Sequence, residues 1–190
     1  MNAVIKIKKD VLDTIVYHAN LNNTLECGGY LYGYSKKTFN GIEIVVVDVY
    51  AEKILGQHNS FNFDPNYERR AIYYLNENWW GLNQKIALIG NYHSHGKYKA
   101  IFSKEDRKAQ KMWMNDRIAL LYSPKYNEII GDIIRKDGSV LQARVTSYDD
   151  YEYQLSCGIK DCLPISYPDQ ELVYEDGDRP KTLKYKPKRR

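Results

Sequence analysis

The sequence predicts an α+β fold, a mostly antiparallel mixed sheet flanked by helices. Three observations carry that prediction. Strand-like segments outnumber helical ones, and the turn dipeptides Asn40-Gly41 and Asp137-Gly138 each join two of them. The helical stripes are few, and they alternate with strands rather than running on as a bundle.

Taken in order, Val4 to Ile7 reads as a short opening strand. Residues 10–19 place Val11, Leu12, Ile15, Val16 and Ala19 on one helical stripe, with Asp10 as N-cap and Asn20 to Asn23 as the stop. Leu25 to Tyr34 and Gly41 to Tyr50 read as two strands, and the run Val45-Val46-Val47 predicts one covered on both faces. Asn59 to Phe63 is a short strand candidate. Asp64-Pro65 then reads as an N-cap and a helix-starting proline for a helix to about Trp80, with Tyr67, Ile72, Leu75 and Trp79 on its apolar face. Lys85 to His95 is strand-like, Ser103 to Trp113 helical, and Arg117 to Tyr122, Asn127 to Arg135 and Val140 to Tyr148 form three further strands. From about Pro164 the chain turns polar and charged, so residues 1–163 are predicted to form one domain and 164–190 a flexible tail, acidic and then basic.

A chain of 190 residues can bury a core without disulfide or metal staples. The longest strongly apolar stretch, Ile44 to Val47, is far short of the roughly 20 residues a bilayer requires. The N-terminus alternates Lys with apolar residues and lacks a signal core, and three Cys (27, 157 and 162) cannot all pair within the chain. These features predict a cytoplasmic protein with no membrane partner. The net charge of +4 misleads until it is divided. Arg179 to Arg190 holds seven of the 28 basic residues and no acid, leaving 21 basic against 24 acidic residues in 1–178. Any attraction to nucleic acid therefore belongs to the tail alone.

Two of the four His residues are His93 and His95. Residues two apart in an extended segment point to one face, so both imidazoles reach one point. Asp106 follows in the first turn of the next helix. Two imidazoles and a carboxylate suit zinc, and three protein ligands leave its fourth position open. Ser103 and Asp106 have a structural reading too, a helix cap with an acid in its first turn. Yet His-x-His-x(7)-Ser-x-x-Asp arises by chance in roughly one sequence of this composition in four thousand.

The segment His93-Ser94-His95, seven residues, Ser103-Lys104-Glu105-Asp106 resembles the JAMM motif of the JAB/MPN metalloprotease family. Leu25-Glu26-Cys27-Gly28-Gly29-Tyr30-Leu31-Tyr32-Gly33 is similar to that family's glutamate segment, and the order of elements fits over about residues 1–150. The resemblance implies the JAB/MPN, cytidine-deaminase-like architecture of a prokaryotic-type stand-alone member. It implies that His93, His95 and Asp106 bind zinc (Zn2+), that Glu26 acts as general base, and that Ser103 stabilises the oxyanion. The implied activity is hydrolysis of peptide or isopeptide bonds after the C-terminal Gly-Gly of ubiquitin or a ubiquitin-like protein, which would be the partner. A non-catalytic MPN-type scaffold and a nucleic-acid-associated JAB relative are the alternatives. Gly96 stands where family members commonly carry Pro, and it widens the backbone options of the loop to Phe102. The other candidates are weaker: Cys27 lacks a recognisable His partner, Cys157-x(4)-Cys162 lacks a second pair, and His18 and His58 read as structural.

Overall fold

The computed structural model describes residues 2–39, 41–52, 65–79, 86–113, 117–149, 170–173 and 182–186. Along the chain these form β1 (Asn2–Lys8), α1 (Lys9–Leu21), β2 (Gly28–Thr38), β3 (Gly41–Glu52), α2 (Pro65–Trp79) and β4 (Ala87–Ser94). There follow α3 (Lys104–Trp113), β5 (Arg117–Ser123), β6 (Glu128–Ile134), β7 (Val140–Tyr148), β8 (Gln170–Val173) and β9 (Thr182–Lys186). The strand predicted at Asn59 to Phe63 and the cysteines at 157 and 162 lie outside the described residues.

The fold is mixed α+β, but the expected open sheet flanked by helices needs correction. Seven strands run in the order β1-β7-β6-β5-β4-β2-β3, and β3 returns to pair with β1, closing the sheet into a barrel. Closure depends on β1, which pairs in parallel with β7 on one side (Ile5↔Val145) and with β3 on the other (Ile5↔Ile44). The β4–β5 pair is parallel as well, while β2–β3, β2–β4, β5–β6 and β6–β7 are antiparallel. Pairings between strands so distant in sequence leave no local pattern, so the closure could not be read from periodicity. Beyond the barrel, β9 pairs with the end of β3 (Glu52↔Thr182), and β8 pairs with β9.

Strand alternation divides the apolar residues between the two faces of the barrel. Ile5, Ile7, Leu31, Val46, Ile118 and Leu120 form one cluster, which Val11, Ile15 and Ala19 of α1 complete. Helix α1 thus packs on the inner face rather than flanking a sheet. Tyr30, Tyr32, Val45, Val47 and Tyr50 form a second cluster with Ala71 of α2, and Ala119, Leu121 and Ile134 a third with Ala100 and Phe102. Val45 and Val46 are fully buried in different clusters, so the Val run is covered on both faces as predicted.

Two local readings change. Asp10 lies within the first turn of α1, where Oδ1 accepts its neighbour's Val11 N–H at 2.8 Å, and Lys8 holds the cap position without a side-chain cap. On α2, Ala71, Tyr74 and Leu75 face the barrel, whereas Ile72 is 44% exposed. Tyr74 takes the inward place because its hydroxyl donates to Asp48 at 3.1 Å, a partner no apolar count detects.

A candidate metal centre on the outer face

Tyr92 points into the inner cluster, so His93, one residue on, points to the outer face. The β2–β4 pairing is antiparallel with Gly28 opposite His93. Ser94 N–H donates to Cys27 O at 2.8 Å, which carries the same register one residue further. Continued once more, it sets Glu26 opposite His95. On the other flank, His95 N–H donates to Tyr122 O at 2.9 Å, so the backbone of His95 is held beyond the end of β4.

Ser103 and Asp106 form the predicted helix start. The Ser103 oxygen accepts the Asp106 N–H at 3.0 Å, and Asp106 Oδ2 accepts the Ser103 N–H at 2.7 Å. This reciprocal cap fixes the Asp106 carboxylate between the two imidazoles. Oδ1 lies 3.3 Å from His93 Nε2, and Oδ2 lies 3.5 Å from His95 Nε2.

The donor set fits zinc. One atom each from His93, His95 and Asp106 lies within 4.8 Å of the others. Bonds of about 2.0–2.1 Å at a tetrahedral angle put two ligand atoms about 3.3–3.4 Å apart, close to the imidazole–carboxylate spacings here. His95 Nδ1 lies 3.4 Å from Lys99 O; with its N–H donated there, Nε2 keeps a lone pair for a metal. Both histidines are buried, as is Glu26, whose Oε1 stands 3.8 Å from His95 Nε2.

The charges in this cluster shape one another. Burial drives the Glu26 carboxyl up, His93 and His95 draw it back, and the Asp106 charge adds to a net rise. Burial works to lower His95, but the Asp106 hydrogen bond and the Glu26 and Asp106 charges leave it raised. Burial opposes the charge on Asp106 as well, yet hydrogen bonds from His93, His95 and Ser103 hold its carboxyl far below the usual range. A carboxylate kept ionised beside two imidazoles is a ready cation site.

A family model described as prokaryotic homologs of the JAB domain matches residues 8–137. The chain belongs to this family. Among solved structures, the JAB-family chain is similar to the solution structure of protein DSY2949 from Desulfitobacterium hafniense. The two share 22% identity and a TM-score of 0.60, over 78% of this chain and 96% of that one. At that identity the likeness concerns the fold. No curated protein matches this JAB-family chain.

The structure thus brings together all five residues singled out from the sequence: Glu26, His93, His95, Ser103 and Asp106. A Cβ on Gly96 would come within 2.3 Å of the Asn23 carbonyl oxygen, so the bare glycine admits the close approach of the α1–β2 loop. Cys27 is no nucleophile: burial pushes its thiol up to about 12. Its N–H donates to the Ser94 hydroxyl at 3.1 Å, tying the Glu26 segment to the histidine strand. Ser94 lies inside the motif, but nothing in its spacing announced this bond. His18 is wholly buried, with Nδ1 2.6 Å from the Tyr92 hydroxyl, as befits a structural residue. No described helix is long and apolar enough to cross a membrane.

Proposed function

We propose that the protein is a zinc-dependent peptidase or isopeptidase that cleaves after the C-terminal Gly-Gly of a ubiquitin-like protein. The observation that carries this reading is the convergence of His93, His95 and Asp106 with a fourth group, the buried Glu26 carboxyl, 3.8 Å from His95. Zinc held by the three ligands would polarise a scissile carbonyl and bring the pKa of water towards about 7. Glu26 would take a proton from the attacking water and return it to the leaving amine. The capping bond uses the Ser103 oxygen as an acceptor, so the O–H remains a donor for a developing oxyanion. Family membership supports the hydrolytic class, and the ubiquitin-like substrate follows from the motif resemblance.

The test is hydrolysis of a fluorogenic reporter on a ubiquitin-like Gly-Gly C-terminus by zinc-loaded protein, with Glu26→Gln alongside. Turnover by the wild type alone supports the reading. Equal release by both proteins removes Glu26 from the mechanism. Silence from a wild type that holds stoichiometric zinc points to the scaffold alternative.

A further inference from the structure

The helix that carries Asp106 is attached to the barrel by polar side chains. Its inward positions, spaced three and four apart from the cap, are Ser103, Asp106, Arg107 and Gln110, and among the described side chains of α3 only Gln110 is buried. A surface helix ordinarily docks through an apolar stripe, and the described side chains of this one bury no apolar residue. In its place, Arg107 pairs through Nη1 with Asp132 of β6, which is 1% exposed, and lies 3.2 Å from Gln110 Oε1. The same guanidinium stands 4.8 Å from the centre of the Phe102 ring, which also lies beside His93, 5.9 Å between ring centres.

We propose that the Arg107–Asp132 pair is a positioning device for the metal centre, holding the first turn of α3 against β6 so that Asp106 meets His93 and His95. The inference rests on reading those three residues as a metal site. Asp106 and Arg107 are consecutive, so one turn of helix is held at two points, by the histidines on one side and by β6 on the other. An exposed ion pair would do little. Asp132 is buried, so displacing Arg107 leaves a charge without compensation in a dry environment, and the helix stays down. The Phe102 ring adds a second connection, from the guanidinium to a metal ligand. Because zinc and the ion pair restrain the same turn, each strengthens the other.

The experiment measures zinc affinity by competition with a chromogenic chelator, and amide hydrogen exchange across residues 104–113 with and without zinc. Arg107→Gln and Asp132→Asn should each weaken zinc binding by about 10- to 100-fold, the usual effect of losing a residue that orients a metal ligand. Arg107→Lys, which keeps the charge, should recover part of that loss. Lys108→Gln, exposed on the same helix, should bind zinc as the wild type does. Zinc should slow exchange over 104–113 in the wild type, and both weakened variants should need proportionately more zinc for the same protection. A zinc dissociation constant within twofold of wild type in both variants overturns the proposal, even if their melting temperatures fall, since a purely structural pair would give that result. A wild type that takes up no zinc overturns the metal-site reading itself and this inference with it, and the two failures are told apart by the wild-type titration.

Discussion

Glu26 Oε1 lies 3.8 Å from His95 Nε2, just past the ends of the antiparallel β2–β4 pair, whose register runs to Gly28↔His93. The acid belongs to the residues before β2 and the imidazole to the residue after β4, so neither depends on a long mobile loop for its place. Such a carboxyl can serve a reaction without being a metal ligand. Glu26→Gln should therefore keep full zinc content while hydrolysis falls by about 100- to 10,000-fold. Metal analysis and the Gly-Gly reporter check the two halves separately, and a loss of zinc would make Glu26 a ligand instead.

Removing a ligand should have the opposite signature. His95→Ala and Asp106→Ala should lose zinc and activity together, and prolonged chelation of the wild type should do the same reversibly. Activity in a zinc-free His95→Ala protein would end the metal mechanism.

Ser103 caps α3 and has a proposed second role as oxyanion donor, and one variant separates the two. In Ser103→Ala the Asp106 N–H loses its acceptor, which should cost about 1 kcal/mol of stability. Loss of an oxyanion donor should slow the chemical step by up to about 100-fold with zinc retained. Denaturant unfolding reads the first effect and turnover the second; a stability loss with unchanged turnover confines Ser103 to its cap.

His18 should make the fold acid-sensitive. Burial lowers its pKa from the ordinary 6.5 to about 4, so between these values the unfolded chain binds a proton that the folded chain refuses. The stability associated with neutral His18 is present above about pH 6.5 and is lost as the pH falls towards 4, up to about 3 kcal/mol in all. His18→Asn, which cannot titrate, should start less stable at pH 7 because the Tyr92 contact is altered, and should lose less on going to pH 5. Urea midpoints at the two pH values test this, and parallel losses would refute it.

Gly96→Ala should be destabilising by about 1–3 kcal/mol, since the added carbon collides with the Asn23 backbone rather than with a side chain that can turn away. Thermal unfolding checks it. An unchanged melting temperature would mean the α1–β2 loop yields without cost.

The helices and the barrel strands were legible because each leaves a local trace, as in the stripe of α1, the Val run of β3 and the Asp137-Gly138 turn where Gly138 takes a positive φ of 75°, whereas β8 and β9 lie in the polar segment read as a tail. The candidate ligands His93, His95 and Asp106 were legible for the same reason, since alternation along one strand and the first turn of one helix bring them together. Glu26 emerged from the motif resemblance, because a lone acid has no spacing of its own, and its facing of His95 is a matter of register between strands far apart. Closure of the barrel and the Arg107–Asp132 pair depend on partners distant in the chain and leave no periodic signal. The inward turn of Tyr74 was hidden because a hydrogen bond, not apolar character, selects it.

The double pairing of β1 also bears on how the chain is made. Its residues leave the ribosome long before those of β7, for Val4 to Lys8 lie beside Arg144 to Tyr148, which emerge some 140 residues later. Until then β1 has at most the flank offered by β3, and β7 is missing from the ring. Contacts this far apart slow folding and leave strand edges open to other chains meanwhile. A strand made early is thus among the last to be fully paired, and a nascent chain stalled before residue 140 carries an unsealed ring.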